Sequence, residues 1–114
     1  MALVALAFPI LPGKAAGWRR MIDEINGARH AEFAATREQF GVRERTFLQS
    51  TPEGDLVIVT LEGDDPAAFL AQEGAQTDSF TRWFAPQFLE FHGLDMAHAE
   101  PGPLPELVLD SRPG

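Results

Sequence analysis

The sequence predicts an α+β domain, and three observations carry that prediction. Two short runs, residues 2–10 (ALVALAFPI) and 56–61 (LVIVTL), have strand length and are apolar at almost every position. Two longer stretches, residues 14–40 and 79–92, repeat their large apolar residues at helical spacing. Proline and glycine punctuate the boundaries between these segments. With 114 residues the chain suits a single domain over 1–114, large enough to bury one core without a disulfide staple.

The first run ends at Pro12-Gly13 and, being apolar throughout, reads as a strand covered on both faces. From residue 14 the period changes: Trp18, Ile22, Ile25, Phe33 and Phe40 fall on one arc at about 100° per residue, and Gly41 sits where a glycine closes a helix. This is one long amphipathic helix or two shorter ones. Asn26-Gly27 interrupts it, and a helical glycine costs about 1 kcal/mol relative to alanine, so a kink or restart is expected there. Residues 42–49 (VRERTFLQ) alternate in their first half, Thr51-Pro52-Glu53-Gly54-Asp55 makes a turn, and LVIVTL completes an antiparallel hairpin. Asp64-Asp65-Pro66 has an acid at the N-cap and proline at the first helical position, leading into a helix over 67–72 anchored by Phe69 and Leu70. After Asp78-Ser79, the side chains of Phe80, Trp83, Phe84, Phe88 and Phe91 share one face until Gly93. Pro86 cannot donate to the carbonyl of Arg82, so a first turn from Ser79 and a restart near Ala85 are expected. The last strand is placed at 106–110 (ELVLD), with 94–98 as its rival.

The order is therefore strand, helix, strand, strand, helix, strand. That is the split βαβ, or ferredoxin-like βαββαβ, arrangement: a four-stranded antiparallel sheet with its helices on one face. Within LVIVTL, Leu56, Ile58 and Thr60 point to one side and Val57, Val59 and Leu61 to the other, so the face opposite the helices is apolar too. In water such a face needs a partner, and a second copy of the chain is expected to cover it.

Composition narrows the function. The net charge is -8, and residues 1–45 hold seven of the nine basic groups but only five of the seventeen acidic ones. The arginines there alternate with acids and form no basic run, so they read as a salt-bridged, solvated face, and nucleic acid is not an expected partner. The absence of cysteine excludes disulfides, thiolate ligands and a cysteine nucleophile, and fits a reducing compartment, with the cytoplasm as the default. The apolar start lacks the preceding basic residues of an export signal, and Pro9 and Pro12 interrupt it well short of the about 20 residues that span a bilayer.

The element order, the two-faced strands and the small size resemble the dimeric α+β barrel superfamily, which includes antibiotic-biosynthesis-type monooxygenases, muconolactone-isomerase-like proteins and haem-degrading enzymes. The strings PGKAAGWRR (12–20), TRWF (81–84) and FHG (91–93) are similar to those of an uncharacterised bacterial family assigned to this fold. The resemblance implies a homodimeric barrel with a substrate cleft between helices and sheet, and cofactor-poor oxygenation or isomerisation as its chemistry. It also implies one haem reading, in which His92 is the axial ligand, but the polar strand residue those enzymes need has no match in ALVALAFPI.

Several residues invite chemistry on their own account. If the first helix runs through Gly27, Arg29, Glu32 and Thr36 fall inside its apolar arc; Arg29 could then clamp a substrate carboxylate and Glu32 act as a base. The simpler reading is favoured: a 27-residue helix is about 40 Å long, so its second half overhangs the sheet and the pair is a surface or dimer-interface salt bridge. His92, Asp95 and His98 form an H-x-x-D-x-x-H run, a metal set only if the helix continues past Gly93; otherwise His92 is a favourable cation at a helix C-terminus. Gln87 is a candidate buried amide that needs partners, and His30 is expected to face solvent. No serine-histidine-acid pattern, phosphate loop or zinc-protease motif is present.

These readings converge on a cleft lined by Trp18, Phe33, Trp83, Phe84, Gln87 and Phe88 that holds a small apolar or aromatic molecule, without a cofactor or metal. In the enzymatic version His92 is the acid or base, with Arg29 orienting an anion and Glu32 beside it. The rival expectation is a non-enzymatic interaction module whose aromatic residues fill the core.

Overall fold

In a computed structural model, described over residues 2–96 and 104–112, the chain forms β1 (Ala2–Pro9), α1 (Ala15–Asn26), α2 (His30–Gln39), β2 (Val42–Thr51), β3 (Gly54–Gly63), α3 (Pro66–Glu73) and α4 (Ser79–His92). The three strands make one antiparallel sheet in the order β1-β3-β2. Its register decides which side chains become core. Val57, Val59 and Leu61 of β3 stand beside Phe8, Leu6 and Val4 of β1, and beside Leu48, Thr46 and Glu44 of β2. That side meets the helices, and all three β3 residues are buried there with Trp18, Met21 and Ile25 of α1, Phe69 of α3, and Phe80 and Phe91 of α4. The uncovered side carries Leu56, Ile58 and Thr60 of β3, flanked by Leu3, Ala5 and Ala7 of β1 and by Arg43, Arg45 and Phe47 of β2. Leu3 and Phe47 are 50% and 54% exposed on it.

Two glycines set close approaches. A Cβ on Gly63, at the end of β3, would sit 2.3 Å from the carbonyl oxygen of Gly41. One on Gly17 would sit 2.8 Å from the ring of Phe91, so α1 and α4 pack together through a residue without a side chain.

The expected interruption at Asn26-Gly27 is real: α1 ends at Asn26 and a separate helix begins at His30. The arc from Trp18 to Phe40 is thus shared between two helices, and Trp18, Ile22, Ile25 and Phe33 from both line one cavity. The Asp65 carboxylate accepts the Ala68 amide at 3.1 Å, with Pro66 in the first helical position, as the sequence predicts. Asp78 caps α4 through Thr81, and Gly93 ends it in the left-handed region, φ 71°, with its amide bonded to the Leu89 carbonyl at 2.8 Å.

Two expectations need correction. The helix does not restart near Ala85; α4 is continuous through Pro86. The Pro86 ring removes one hydrogen bond, but Phe80, Phe84 and Phe88 pack in sequence across it, the first pair stacked and the second tilted, with centroids 5.4 and 5.8 Å apart, and that packing keeps one line. Nor does a fourth strand form at 106–110. Those residues are irregular, with Leu107, Val108 and Leu109 exposed by 65%, 82% and 85% and paired with no strand of the sheet. The rival placement at 94–98 is irregular at 94–95 and a turn at residue 96, and its remainder lies outside the described residues. The sheet described is thus three-stranded rather than four-stranded. Among the described residues no helix is long and apolar enough to cross a membrane.

Candidate functional site

Between the inner face of the sheet and helices α1 and α4 lies a cavity of about 200 Å³. Its apolar walls include Phe8, Trp18, Phe33, Phe84 and Phe88, and its polar groups are Asn26, Glu44, Thr46 and His92. Asn26 and Thr46 are exposed and mark the mouth, whereas His92 is buried.

His92 is the last residue of α4, and the turn at Gly93 leaves its ring inside. Its Nδ1 lies 2.8 Å from the Pro9 carbonyl at the end of β1, and the ring packs edge-on against Phe8 with centroids 4.6 Å apart. A carbonyl only accepts, so Nδ1 carries the hydrogen and the neutral ring keeps its lone pair on Nε2. Burial pushes the His92 pKa below its ordinary value, against a smaller opposing pull from the Pro9 carbonyl. His92 is therefore a neutral, inward-facing acceptor at pH 7, and the reading of it as a favourable cation at the helix C-terminus is corrected.

At the other end stands Glu44, which the register of β2 turns inward. Its Oε1 accepts from Arg37 Nε and Nη2 at 3.0 and 2.8 Å, and its Oε2 from the Thr46 hydroxyl at 3.3 Å. Arg37 itself is only 5% exposed. Nη2 also donates to Glu73 at 3.0 Å and Nη1 to the Thr36 hydroxyl at 2.9 Å, while the guanidinium lies over the rings of Phe33, Phe69 and Phe80 at 4.5, 5.0 and 5.5 Å. One buried cation thus serves two largely buried carboxylates. Burial pushes the Glu73 pKa up to about 7, a rise that Arg37 opposes and the negative Glu44 reinforces. Sequence reasoning missed this cluster. The available signal was position: Arg37 is four residues after Phe33 and three before Phe40, in the middle of the apolar stripe of α2.

The other predicted residues divide. Trp18, Phe33, Phe84, Phe88 and His92 come together at the cavity; Arg29, Glu32, Trp83 and Gln87 do not line it. Arg29 pairs with Glu32, reaches Glu24 at 3.5 Å and covers the ring of Trp83 at 4.3 Å. Glu32 in turn accepts from the Ser79 hydroxyl at 3.0 Å. The half-exposed pair therefore ties the ends of α1, α2 and α4 together, a role matching the favoured salt-bridge reading. Gln87 donates to the Trp83 carbonyl at 3.1 Å and borders a separate, more open depression of about 330 Å³ with Arg20, Glu24 and Glu90. His30 is exposed, as expected.

No known protein family, curated protein or solved structure matches the chain.

Its site must be read from its own geometry. Gly93 ends α4 after His92, so His92 and Asp95 do not share a helical face, and His98 lies outside the described residues. Among the described residues no group of three or more histidine or acidic side chains can hold a metal. The cavity is also smaller than the about 300–1,000 Å³ typical of sites for drug-sized molecules, which leaves no room for a porphyrin.

Proposed function

We propose that the protein binds a small, uncharged aromatic molecule carrying a hydrogen-bond donor, in the cleft between sheet and helices, and that it does so as a homodimer joined through the open sheet face. The cavity ending at the buried His92 imidazole is the observation that carries this reading. Its volume of about 200 Å³ compares with the about 150 Å³ of an engineered apolar cavity that takes up benzene, so one substituted ring fits. His92 Nε2 and Glu44 Oε2 are acceptors, so a ligand hydroxyl or amine is the complementary group. An anion is disfavoured, because no lysine or arginine lines the cleft and the Glu44 carboxylate does. If turnover follows binding, His92 is the residue placed to take the donor's proton, its Nδ1 hydrogen held by Pro9 throughout. That suits isomerisation by proton shift, or deprotonation ahead of oxygenation. The unfilled space favours this reading over an interaction module with a filled core. The dimer is supported by Leu3 and Phe47, large apolar side chains half exposed on the sheet face that no helix covers.

Titration with phenol, catechol and benzoate, followed by Trp18 fluorescence and by proton-nitrogen NMR, tests the cleft. Phenol and catechol are expected to shift resonances of His92, Phe84 and Phe88 while benzoate does not, and His92→Phe should weaken phenol binding at least tenfold. Shifts absent with all three molecules, or scattered over the surface, would overturn the reading.

A further inference from the structure

The chain carries a strand edge without a strand and a strand-like segment without an edge. Among the described residues β1 pairs only with β3, so no described segment takes up the backbone groups on its outer side along Ala2–Pro9. An exposed edge of this kind normally bears charges that discourage pairing. The other edge strand, β2, has Arg43, Glu44 and Arg45; β1 has no charged residue at all. Meanwhile residues 104–110 (LPELVLD) hold four of the large apolar side chains the protein leaves in water: Leu104, Leu107, Val108 and Leu109.

We infer that residues 104–110 add as a fourth strand to the outer edge of β1 in a second copy of the chain, each protomer giving its C-terminal segment to the other. Length agrees: seven residues at about 3.3 Å each span about 23 Å, against about 26 Å for the eight of β1. Pattern agrees as well. In an extended strand Leu107 and Leu109 share one side and Glu106, Val108 and Asp110 the other. The leucines would thus continue the helix-covered layer, while the two acids would join the open face, where they stay in reach of water. Residues 93–103 separate α4 from the segment, enough chain to reach β1 of the same protomer. Yet the segment is unpaired and exposed in the single chain, so the edge left for it is the partner's. A two-fold exchange satisfies both edges at once and leaves no further edge of this type for a third chain.

This inference extends the proposed dimer and is independent of the cleft. The protein has no cysteine, so introduced cysteines report without background. Ala5→Cys and Ala7→Cys, each combined with Val108→Cys in the full chain, are to be oxidised and run on a non-reducing gel. A disulfide-linked dimer from either combination is expected. A cross-linked monomer would mean that the segment folds back on its own β1, and no cross-link in either would mean that it pairs with neither; both results overturn the exchange. Sedimentation equilibrium of Leu107→Pro and Val108→Pro is the second measurement. Successive amides of a strand point in opposite directions, so one of these prolines must remove a ladder hydrogen bond, and both positions are exposed in the protomer, so its fold is not at risk. At least one variant is expected to dissociate tenfold more readily. A dimer unchanged in both would overturn the exchange while leaving the sheet-face dimer standing, and a monomeric native protein would overturn both.

Discussion

Replacing Glu73 by glutamine should leave stability nearly unchanged at pH 4 and raise it at pH 8.5. Arg37 is a single positive charge between two largely buried carboxylates, so with both ionised the cluster holds an unbalanced negative charge largely shielded from water. Burial accordingly lifts the Glu73 pKa from 4.5 to about 7. A folded-state pKa above the unfolded one means that the native state binds the proton more tightly. Its contribution to stability is present in full below pH 4.5 and is lost as pH rises through 7. At about 1.4 kcal/mol per pKa unit the loss approaches ~3 kcal/mol. Unfolding entropies of about 2.1 cal/mol/K per residue convert that to roughly 12 °C in Tm for a chain of this length. Glutamine retains an oxygen for Arg37 and a similar helix propensity at the end of α3, so what it removes is the ionisation. Thermal unfolding followed by circular dichroism at the two pH values measures the difference between variant and parent. A variant less stable than the parent by the same margin at both values would show Glu73 ionised throughout and its ion pair with Arg37 a net stabiliser.

Arg37→Met removes the shared cation and strands Glu44 and Glu73, which should lower unfolding free energy by about 3–5 kcal/mol at pH 8 in urea titrations, and by less at pH 5.5, where a carboxyl can take up a proton instead. Gly63→Ala forces the end of β3 away from the Gly41 carbonyl and should cost about 1–3 kcal/mol; an unchanged urea midpoint would show that the Gly41 turn yields freely.

What could be read from the sequence is what local chemistry decides. The doubly apolar LVIVTL run identified the central strand, because only a strand with neighbours on both sides and cover above needs no polar face. Asp65-Pro66, Asp78 and Gly93 marked helix ends because caps act over three or four residues. The break at Gly27 was legible as well, but its consequence was not: with the helix in two pieces, Arg29 and Glu32 remain partly buried yet bind Glu24, Trp83 and Ser79 rather than the cleft. Pro86 misled for the opposite reason, since aromatic packing along α4 outweighs one missing hydrogen bond. Four of the predicted cleft residues, Trp18, Phe33, Phe84 and Phe88, are large and face the core, so the pattern found them; Glu44 and Thr46 are polar residues on a strand and become cleft residues only through register. The strand expected at 106–110 did not form, because ELVLD becomes a strand only where an edge is supplied.

The polarity of the cleft follows from where the two arginines at either end of α2 are held. Arg29 lies outside, over Trp83, with Glu24 and Glu32 as partners; Arg37 lies beneath Phe33, with Glu44 and Glu73. Each guanidinium is engaged by two carboxylates and an aromatic face, so releasing either one toward a ligand would strand half-buried or buried acids, at several kcal/mol in the case of Arg37. Neither is therefore a spare cation for a substrate carboxylate, although the sequence offered Arg29 for that task. What remains facing the cavity is one neutral imidazole that can accept and one carboxylate already neutralised from behind. A hydroxyl- or amine-bearing ring satisfies both without bringing charge into the apolar walls, whereas a carboxylate would meet Glu44 with nothing to balance it.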